Sequence, residues 1–586
     1  MAGARLTANY DVLQEIFQHL YPFIEVEQLQ APERPSNSKW RTSKPERVSL
    51  FQAACASRAI SECALDVLWS HLTGLEGLFR VFPSLRRQCA TDSNTLRGLV
   101  LAGHNAEDDW RRFDGYARRV RILDLAWRQD VFSLEIIAYA SSFRNGQPLL
   151  PSLQWLRITP QGPFEEVLTA LIPPSLSRLD ICPPAYPFLQ EHIGHNSAVE
   201  HILLHAISTC TYLEEVEIST RDAEKKLIAL GKCDHLNRLH ISRLDRSPDT
   251  LDVRLMRNWL CAQSLTRLSL ELRPDDPAPS ATEALVFPLL QVLVVSGCVS
   301  STMVLFFQHC STPVLSTLKI VTHMGKTAVQ ERRDLAECLQ VVALGARGRD
   351  CFRRFILDYS PPWRTEVIAR EMPARLPLVD VARPLCALPQ LEMVHLSLQI
   401  RWGIVPTDAD VKEMVPSWPN LLSLQIDYGS YPTHRDVISY TRRGPSFLDI
   451  HAKSLVTIAK HCPKLKDLAV LCGSNGLTAA TLESCPVSSH QLQNFMLPDV
   501  RGKGWSSKLM RLWVVLIERL FPNLVSIKTF TPRPRREQIM FSSPADSLLS
   551  ELEYRRRSRE TESQDTGLSA LERIERPRRD DIVLRP

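Results

Sequence analysis

Leu153-Gln-Trp-Leu-Arg-Ile158 places apolar residues at the first, fourth and sixth positions of a six-residue run. Alternation across its second half is the mark of a strand with one face in a core. The pattern returns along the chain, with Ile, Val or Phe substituting for Leu. It stands at Leu96/Leu99/Leu101, Val120/Leu123/Leu125, Leu176/Leu179/Ile181, Leu213/Val216/Ile218, Leu236/Leu239/Ile241, Leu265/Leu268/Leu270 and Leu290/Leu293/Val295. It continues at Leu315/Leu318/Ile320, Phe352/Phe355/Leu357, Leu391/Val394/Leu396, Leu421/Leu424/Ile426, Leu465/Leu468/Val470, Leu492/Phe495/Leu497 and Leu524/Ile527/Thr529. Proline stands two residues ahead of the leading position in eight runs, as Pro151, Pro174, Pro288, Pro313, Pro389, Pro419, Pro463 and Pro522. Helical stretches precede several of them, among them Leu455–Cys462 and Leu512–Phe521. Proline cannot continue a helix and turns the residue before it toward extended geometry. Helix, proline, strand, repeated, predicts an α/β chain whose strands form a parallel inner sheet with helices on the convex side.

The leading residues are 23 to 44 positions apart. The short intervals fit the period of leucine-rich repeats, roughly 20–29 residues, and the long ones require insertions. The array resembles the irregular leucine-rich arrays that follow the F-box in many fungal proteins. The polar Asn that usually follows the third apolar position is absent throughout, and Cys298 is the one Cys found there. A side-chain hydrogen-bond ladder is therefore not expected. An ordinary α/β domain with Leu-rich strands is the other reading open at this point.

In a stacked array the residue between the last two apolar positions points from the inner sheet to solvent. That column reads Val100, Asp124, Arg157, Asp180, Glu217, His240, Ser269, Val294, Lys319, Ile356, His395, Gln425, Ala469, Met496 and Lys528. Asp124, Arg157, Asp180, Glu217, His240, Lys319, His395 and Gln425 are the candidate target-binding residues. No single charge dominates, so the column names no target. An acidic ligand would want a run of Arg or Lys.

Ahead of the array, Tyr10–Leu20 carries Val12, Leu13, Ile16, Phe17 and Leu20 at helical spacing, with Asp11, Gln14, Glu15, Gln18 and His19 on the other side. Val48–Ile60 reads as a second helix. Ser61–Trp69 reads as a third, with Leu65, Leu68 and Trp69 on one side. Three helices this short, well under about 70 residues, lean on a partner or an adjoining domain. Asp11–Leu20 and Leu50-Phe-Gln-Ala-Ala-Cys-Ala-Ser-Arg58 resemble an F-box, and Ala64-Leu-Asp-Val-Leu-Trp69 is similar to the close of fungal F-boxes. Ala8-Asn9 stands where that motif usually opens with Leu-Pro, and Ile60 where an aromatic is common. The resemblance implies docking to a Skp-type linker protein, and through it a cullin, by an apolar surface of Leu13, Ile16, Phe17, Leu20, Leu50, Ala54, Leu65, Leu68 and Trp69. An N-terminal helical cap on a larger fold is the competing reading.

The expected organisation is a helical module at 1–82 with a disordered insertion at 25–47, a leucine-rich-repeat solenoid at 83–530, and a charged, disordered tail at 531–586. The tail is dense in Arg and Glu and poor in apolar residues, with a transient helix expected over Asp546–Arg557. Its Arg555-Arg-Arg-Ser-Arg559 reads as a solvated charge run.

Across 586 residues, 44% are hydrophobic, 23% are charged and the net charge is +5, the balance of an ordinary globular protein. That charge does not point to a nucleic-acid binder. No window approaches the roughly 18–20 apolar residues of a membrane span, and the N-terminus has no signal-peptide pattern. Fifteen scattered cysteines suggest reduced thiols and a cytoplasmic or nuclear setting.

The sequence holds no Cys-x-x-Cys, phosphate-binding loop or Gly-x-Ser-x-Gly elbow. Gly502-Lys-Gly504 reads as a loop. His309-Cys310 and His461-Cys462 read as solenoid turns, although a Cys–His pair stays open. No cofactor or metal is expected, and no catalysis by the chain itself. The leading functional expectation is a substrate receptor of an SCF-type cullin ubiquitin ligase, with the repeats holding an unnamed target protein. The rival is a leucine-rich scaffold or sensor that binds protein without a ligase.

Overall fold

The computed structural model describes residues 10–17, 44–87, 99–101, 107–125, 131–158, 165–182, 194–220, 228–231, 233–243, 264–273, 276, 284–323, 327–347, 350–359, 374–399, 402–428, 450–470, 477, 482, 490–498, 507–530, 552, 554 and 555. It divides into two compact units, Met1–Glu271 and Leu272–Pro586.

The strands of the first unit are β1 (His71–Leu72), β2 (Leu85–Arg87), β3 (Leu99–Leu101), β4 (Ile122–Asp124), β5 (Trp155–Ile158), β6 (Arg178–Ile181), β7 (Glu215–Thr220), β8 (Arg238–Arg243) and β9 (Arg267–Leu272), the last residue of which, Leu272, belongs to the second unit. Strands β1, β4, β5, β6, β7, β8 and β9 lie side by side in that order, all parallel. Those of the second unit are β10 (Leu285–Val286), β11 (Val292–Cys298), β12 (Cys310–Ser311), β13 (Thr317–His323), β14 (Arg354–Tyr359), β15 (Leu376–Pro377), β16 (Met393–Leu398), β17 (Ile404–Val405), β18 (Ser423–Tyr428), β19 (Asp467–Val470), β20 (Asn494–Pro498) and β21 (Ser526–Phe530). Here β11, β13, β14, β16, β18, β19, β20 and β21 form the parallel ladder. Two short parallel pairs, β10–β12 and β15–β17, lie apart from it.

Eight repeats begin with a turn that a proline shapes. In all eight proline-bearing repeats the residue before the proline accepts a hydrogen bond from the N–H of the leading Leu, as in Leu153 to Leu150, Leu391 to Leu388 and Leu465 to Cys462. Proline therefore occupies the second position of a four-residue turn, where its fixed φ is already suitable and its missing N–H costs nothing.

A second device repeats at the leading edge of the sheet. One carbonyl accepts two successive N–H groups from the next repeat: Gln154 O from Ser177 and Arg178, Ser177 O from Glu214 and Glu215, Asn237 O from Thr266 and Arg267. Ser316 O, Glu392 O and Gln493 O do the same in the second unit. Hydroxyls and thiols add to the backbone bonds: Ser177 and Thr266 donate to Gln154 O and Asn237 O, and Cys210 and Cys351 to Pro173 O and Pro313 O.

The core lies between the apolar strand positions and the helices. Leu156, Leu179, Val216 and Leu239 are buried in the first unit, as are helix residues such as Ile137, Ile202 and Ala206. Leu318, Phe355, Val394, Leu424 and Leu468 are their counterparts in the second unit, with Leu339, Leu455, Ile458 and Ile517 from helices. Each such side chain contributes about 1.5–3 kcal/mol by leaving water. Trp402 and Trp418 are fully buried, and their indole N–H groups donate to Glu331 Oε2 at 2.9 Å and Leu385 O at 3.0 Å. Gly297 is required in β11. Its φ of +139° suits glycine, and a Cβ there would collide with the Leu272 carbonyl.

The parallel ladder begins at His71, inside the stretch expected to be a separate helical module. The helix Arg58–Ser70 runs directly into β1, which pairs with β4. The first expected repeat is corrected as well: Leu99–Leu101 pairs antiparallel with Leu85–Arg87, so Val100 lies opposite Arg86 and outside the parallel column. An antiparallel pair needs only a short connection, and the nearby Leu85–Arg87 segment supplies the partner. The second helix starts at Lys44, within the expected 25–47 insertion, and stops at Ala56 rather than Ile60. Ser57 caps the next helix, its hydroxyl accepting from Ile60 N at 3.3 Å.

The remainder of that insertion, Leu20 and Gly502-Lys-Gly504 lie outside the described residues, as does the tail apart from Phe530 before it and Leu552, Tyr554 and Arg555 within it. Those three tail residues are helical, within the Asp546–Arg557 stretch where a helix was expected, and Leu552 is buried. Among the described residues no helix is long and apolar enough to cross a membrane.

Candidate functional site

The strand register aligns the column read from sequence. In the first unit Asp124, Arg157, Asp180, Glu217, His240 and Ser269 are successive cross-strand neighbours. In the second, Val294, Lys319, Ile356, His395, Gln425, Ala469, Met496 and Lys528 are. From Asp124 to Ser269 and from Val294 to Met496 these positions face away from the apolar strand side chains, as strand alternation requires.

A second column shares each face, two residues earlier on every strand. In the first unit it reads Ile122, Trp155, Arg178, Glu215, Arg238 and Arg267. Sequence reading took one position per repeat and so missed these residues. Period-two alternation was the signal that would have found them.

Together the two columns make a lattice of charge. Arg178 binds Asp180 at 3.0 Å and Glu215 at 3.0 Å while its guanidinium lies 4.2 Å above the Trp155 ring. The Trp155 indole donates to Asp180 Oδ2 at 2.9 Å. Glu215 reaches Arg238 at 3.5 Å, Asp124 meets Arg157 at 3.7 Å, and His240 lies 4.0 Å from Glu217. Asp180 is only 2% exposed. Its burial raises its carboxyl pKa against the pull of Arg178. Asp180 therefore organises the face rather than presenting itself to a partner.

On the second unit's face Lys319 is 4% exposed and pairs with Asp358 at 3.0 Å. His395 Nε2 lies 2.9 Å from Ser423 Oγ, and Gln425 Nε2 donates to Asp427 Oδ2 at 2.7 Å. Burial, reinforced by Lys319, pulls His395 down to about 4, with Asp467 and Asp358 opposing. Lys319 is thus buried within the face, whereas His395 and Gln425 stay partly exposed.

The N-terminal docking candidates fall into different places. Phe17 is 7% exposed and Leu50 is 0% exposed, so both lie inside a small cluster with Cys63, Ala64 and Val67. Tyr10, Leu13, Ala53, Ala54, Ile60 and Leu68 pack around it. Leu65 is half-buried, and Trp69 stacks on Tyr116 at 4.6 Å. Asp66 joins Tyr10 to Arg119, and Arg119 also binds Glu62 at 2.5 Å. These bonds fasten the helices to the first repeat. The exposed apolar side chains here are Val12 (56%), Ile16 (49%), Val48 (46%) and Phe51 (59%). Only Ile16 among them was an expected contact residue. Helical spacing identified apolar positions but not which would be consumed by the helices' own packing.

The buried thiols have structural partners. Cys462 donates to Trp418 O at 3.5 Å, and burial pushes its pKa up to about 12. That is the opposite of activation as a nucleophile. Among the described residues no group of three His, Cys, Asp or Glu side chains is placed to hold a metal.

No family model and no curated protein matches the chain. Among solved structures it is similar to the leucine-rich repeat-containing protein LegL7 from Legionella pneumophila, with a TM-score of 0.28 and 13% identity over 68% of this chain and 96% of that one. The repeat architecture stands on the strand register described above, not on that likeness.

Proposed function

We propose that this chain is a leucine-rich scaffold that binds a partner protein along the open strand faces of its repeats and does no catalysis of its own. The observation that carries the reading is the in-register pair of side-chain columns, which sets polar and charged residues side by side on the strand face of each unit. Such a surface suits an extended protein contact better than a small ligand, which favours a concave apolar pocket. A photo-crosslinking residue at Glu217 or Gln425 should capture the same partner, and one at Arg112 or Lys460 on the helices should not. Capture from the helix positions alone would overturn the reading.

A second reading adds a ligase to the first. The exposed Val12, Ile16, Val48 and Phe51 favour docking of a Skp-type linker, and through it a cullin, with the repeats as the target receptor. In that case the chain contributes proximity, raising the target's effective concentration beside the ubiquitin-carrying partner. Co-expression with a Skp-type linker should yield a complex that survives gel filtration and is lost on Ile16→Asp or Phe51→Asp. Absence of a complex, or unchanged binding by both variants, rejects the ligase. A Phe17→Asp variant is unsuitable, because Phe17 is interior.

A further inference from the structure

We infer that the last strands of the first unit carry an anchor for an oxyanion, a carboxylate or a phosphate monoester, on the bound protein segment. The inference rests on the open face being the partner-binding surface, and adds which chemistry it selects.

The register places Arg238 directly beside Arg267, both on the face away from the core. Neighbouring strands are about 4.8 Å apart, so the two guanidiniums start from adjacent anchor points. The surroundings of Arg238 differ from those of Arg178. Arg178 is saturated by Asp180, Glu215 and the Trp155 ring. Arg238 makes one ion pair among the described residues, a 3.5 Å contact with a Glu215 that Arg178 already holds at 3.0 Å. The side chain of Arg238 remains 31% exposed. Most of its N–H donors therefore stay open to an incoming group.

Arg267 adds a second positive charge on the neighbouring strand. Burial lowers its pKa, and the positive charges of Arg238 and Arg178 add to that effect, against Glu215 and Glu217. An oxyanion seated between Arg238 and Arg267 would relieve this crowding. It would also accept the forked hydrogen bonds that guanidinium groups make to planar or tetrahedral oxyanions. Sequence reading found no run of basic residues because it followed the neighbouring column, where the same strands carry His240 and Ser269.

The test uses the full chain and three degenerate peptide pools, identical except for a central phosphoserine, glutamate or alanine. The parent should retain the phosphoserine pool, the glutamate pool or both at least about tenfold more tightly than the alanine pool, the scale of a charge-assisted hydrogen bond. Preference for phosphoserine alone identifies phosphate as the source, and comparable retention of glutamate identifies a carboxylate. Arg238→Ala and Arg267→Ala should abolish the preference, Arg238→Lys should retain part of it, and Arg112→Ala should leave it intact. Unchanged circular dichroism would show that the variants fold. Binding without anionic preference, or a preference that survives Arg238→Ala and Arg267→Ala, overturns the anchor but leaves the binding face standing. Retention of no pool overturns both.

Discussion

Replacing Asp410 with alanine should loosen the helix layer of the second unit more than most single changes can. Asp410 is 1% exposed and both of its oxygens are engaged. Oδ1 accepts from Val379 N at 2.9 Å, while Oδ2 accepts from Thr407 N and Thr407 Oγ1, both at 2.7 Å. Thr407 is the N-cap of the helix Asp408–Met414, and Asp410 closes a reciprocal capping box with it. The Val379 bond reaches to another helix, Leu378–Ala382, whose first N–H groups have no partner within their own turn. One carboxylate thus terminates two helices from successive repeats.

A hydrogen bond to a charged acceptor contributes about 1.5–3 kcal/mol, and a buried donor left without an acceptor forfeits all of it. Val379 N lies in the interior and cannot turn to water. Thr407 is half-buried and recovers part of its loss by hydration. The sum for Asp410→Ala is about 3–5 kcal/mol. Asp410→Asn keeps the shape and one acceptor oxygen, so about half that cost is expected. Hydrogen exchange read by segment measures this without assuming that both units melt together. Protection over 376–398 and 402–428 should fall about a hundredfold or more in the Ala variant. Protection over 153–218 should be unchanged. An Ala variant within tenfold of the parent, or an Asn variant as damaged as Ala, would refute the reasoning.

Gly297→Ala should destabilise the second unit by at least about 2 kcal/mol, because the added Cβ meets backbone and the positive φ is strained; an unchanged melting temperature would contradict this. His395 is held neutral with its pKa near 4, below its ordinary value near 6.5, so its contribution is intact above pH 6.5 and is lost as pH falls from there toward 4. The loss should reach about 2 kcal/mol at pH 5, and His395→Gln should remove that part of the acid sensitivity in denaturant titrations. Cys55 is exposed, whereas Cys338 and Cys462 are buried with raised pKa values. Maleimide should therefore modify Cys55 in the folded chain and reach the other two only after unfolding, as peptide mapping would show. Pro389→Ala should cost about 0.5–1 kcal/mol through the freer unfolded chain, read as a lower urea midpoint with an unchanged slope.

Much of the fold was legible because its determinants are local. Leu153, Leu156 and Ile158 reveal a strand by their spacing, and Pro151 announces the turn that starts it. The column from Asp124 to Ser269 followed from that spacing alone, since parallel strands in equivalent repeats stack equivalent residues. What was not legible depended on competition between neighbours. Leu99–Leu101 has the same pattern as a repeat strand, yet Leu85–Arg87 takes it as a partner. Phe17 and Ile16 are adjacent apolar residues on one helix, and only packing against Leu50 and Val67 decides which is hidden. Ser57 was read as helix interior because the apolar spacing continues through it, although a serine before a new apolar run is also an N-cap signal. The charge lattice around Arg178 needed two columns to be considered at once.

The backbone bonding at the leading edge explains why repeats of such uneven length can stack. In the two-to-one bonding at the leading edge, the acceptor is a backbone carbonyl and the donors are the next repeat's first two strand N–H groups. Neither depends on side-chain identity, and both lie at the start of the strand, upstream of the helices and insertions that return the chain. From Leu421 to Leu465 the chain travels 44 residues, yet Leu422 O still accepts from both Lys466 N and Asp467 N. From Leu153 to Leu176 it travels 23, and Gln154 O accepts from Ser177 N and Arg178 N in the same way. Stacking is therefore decoupled from the length of the return path. Because closing a longer loop adds only about 0.6 kcal/mol per doubling, the returns can vary widely at little cost while the strand faces keep their register. Side chains at the third and fifth positions are then free to specify a ligand, as the buried leucines and the backbone ladder already specify the fold.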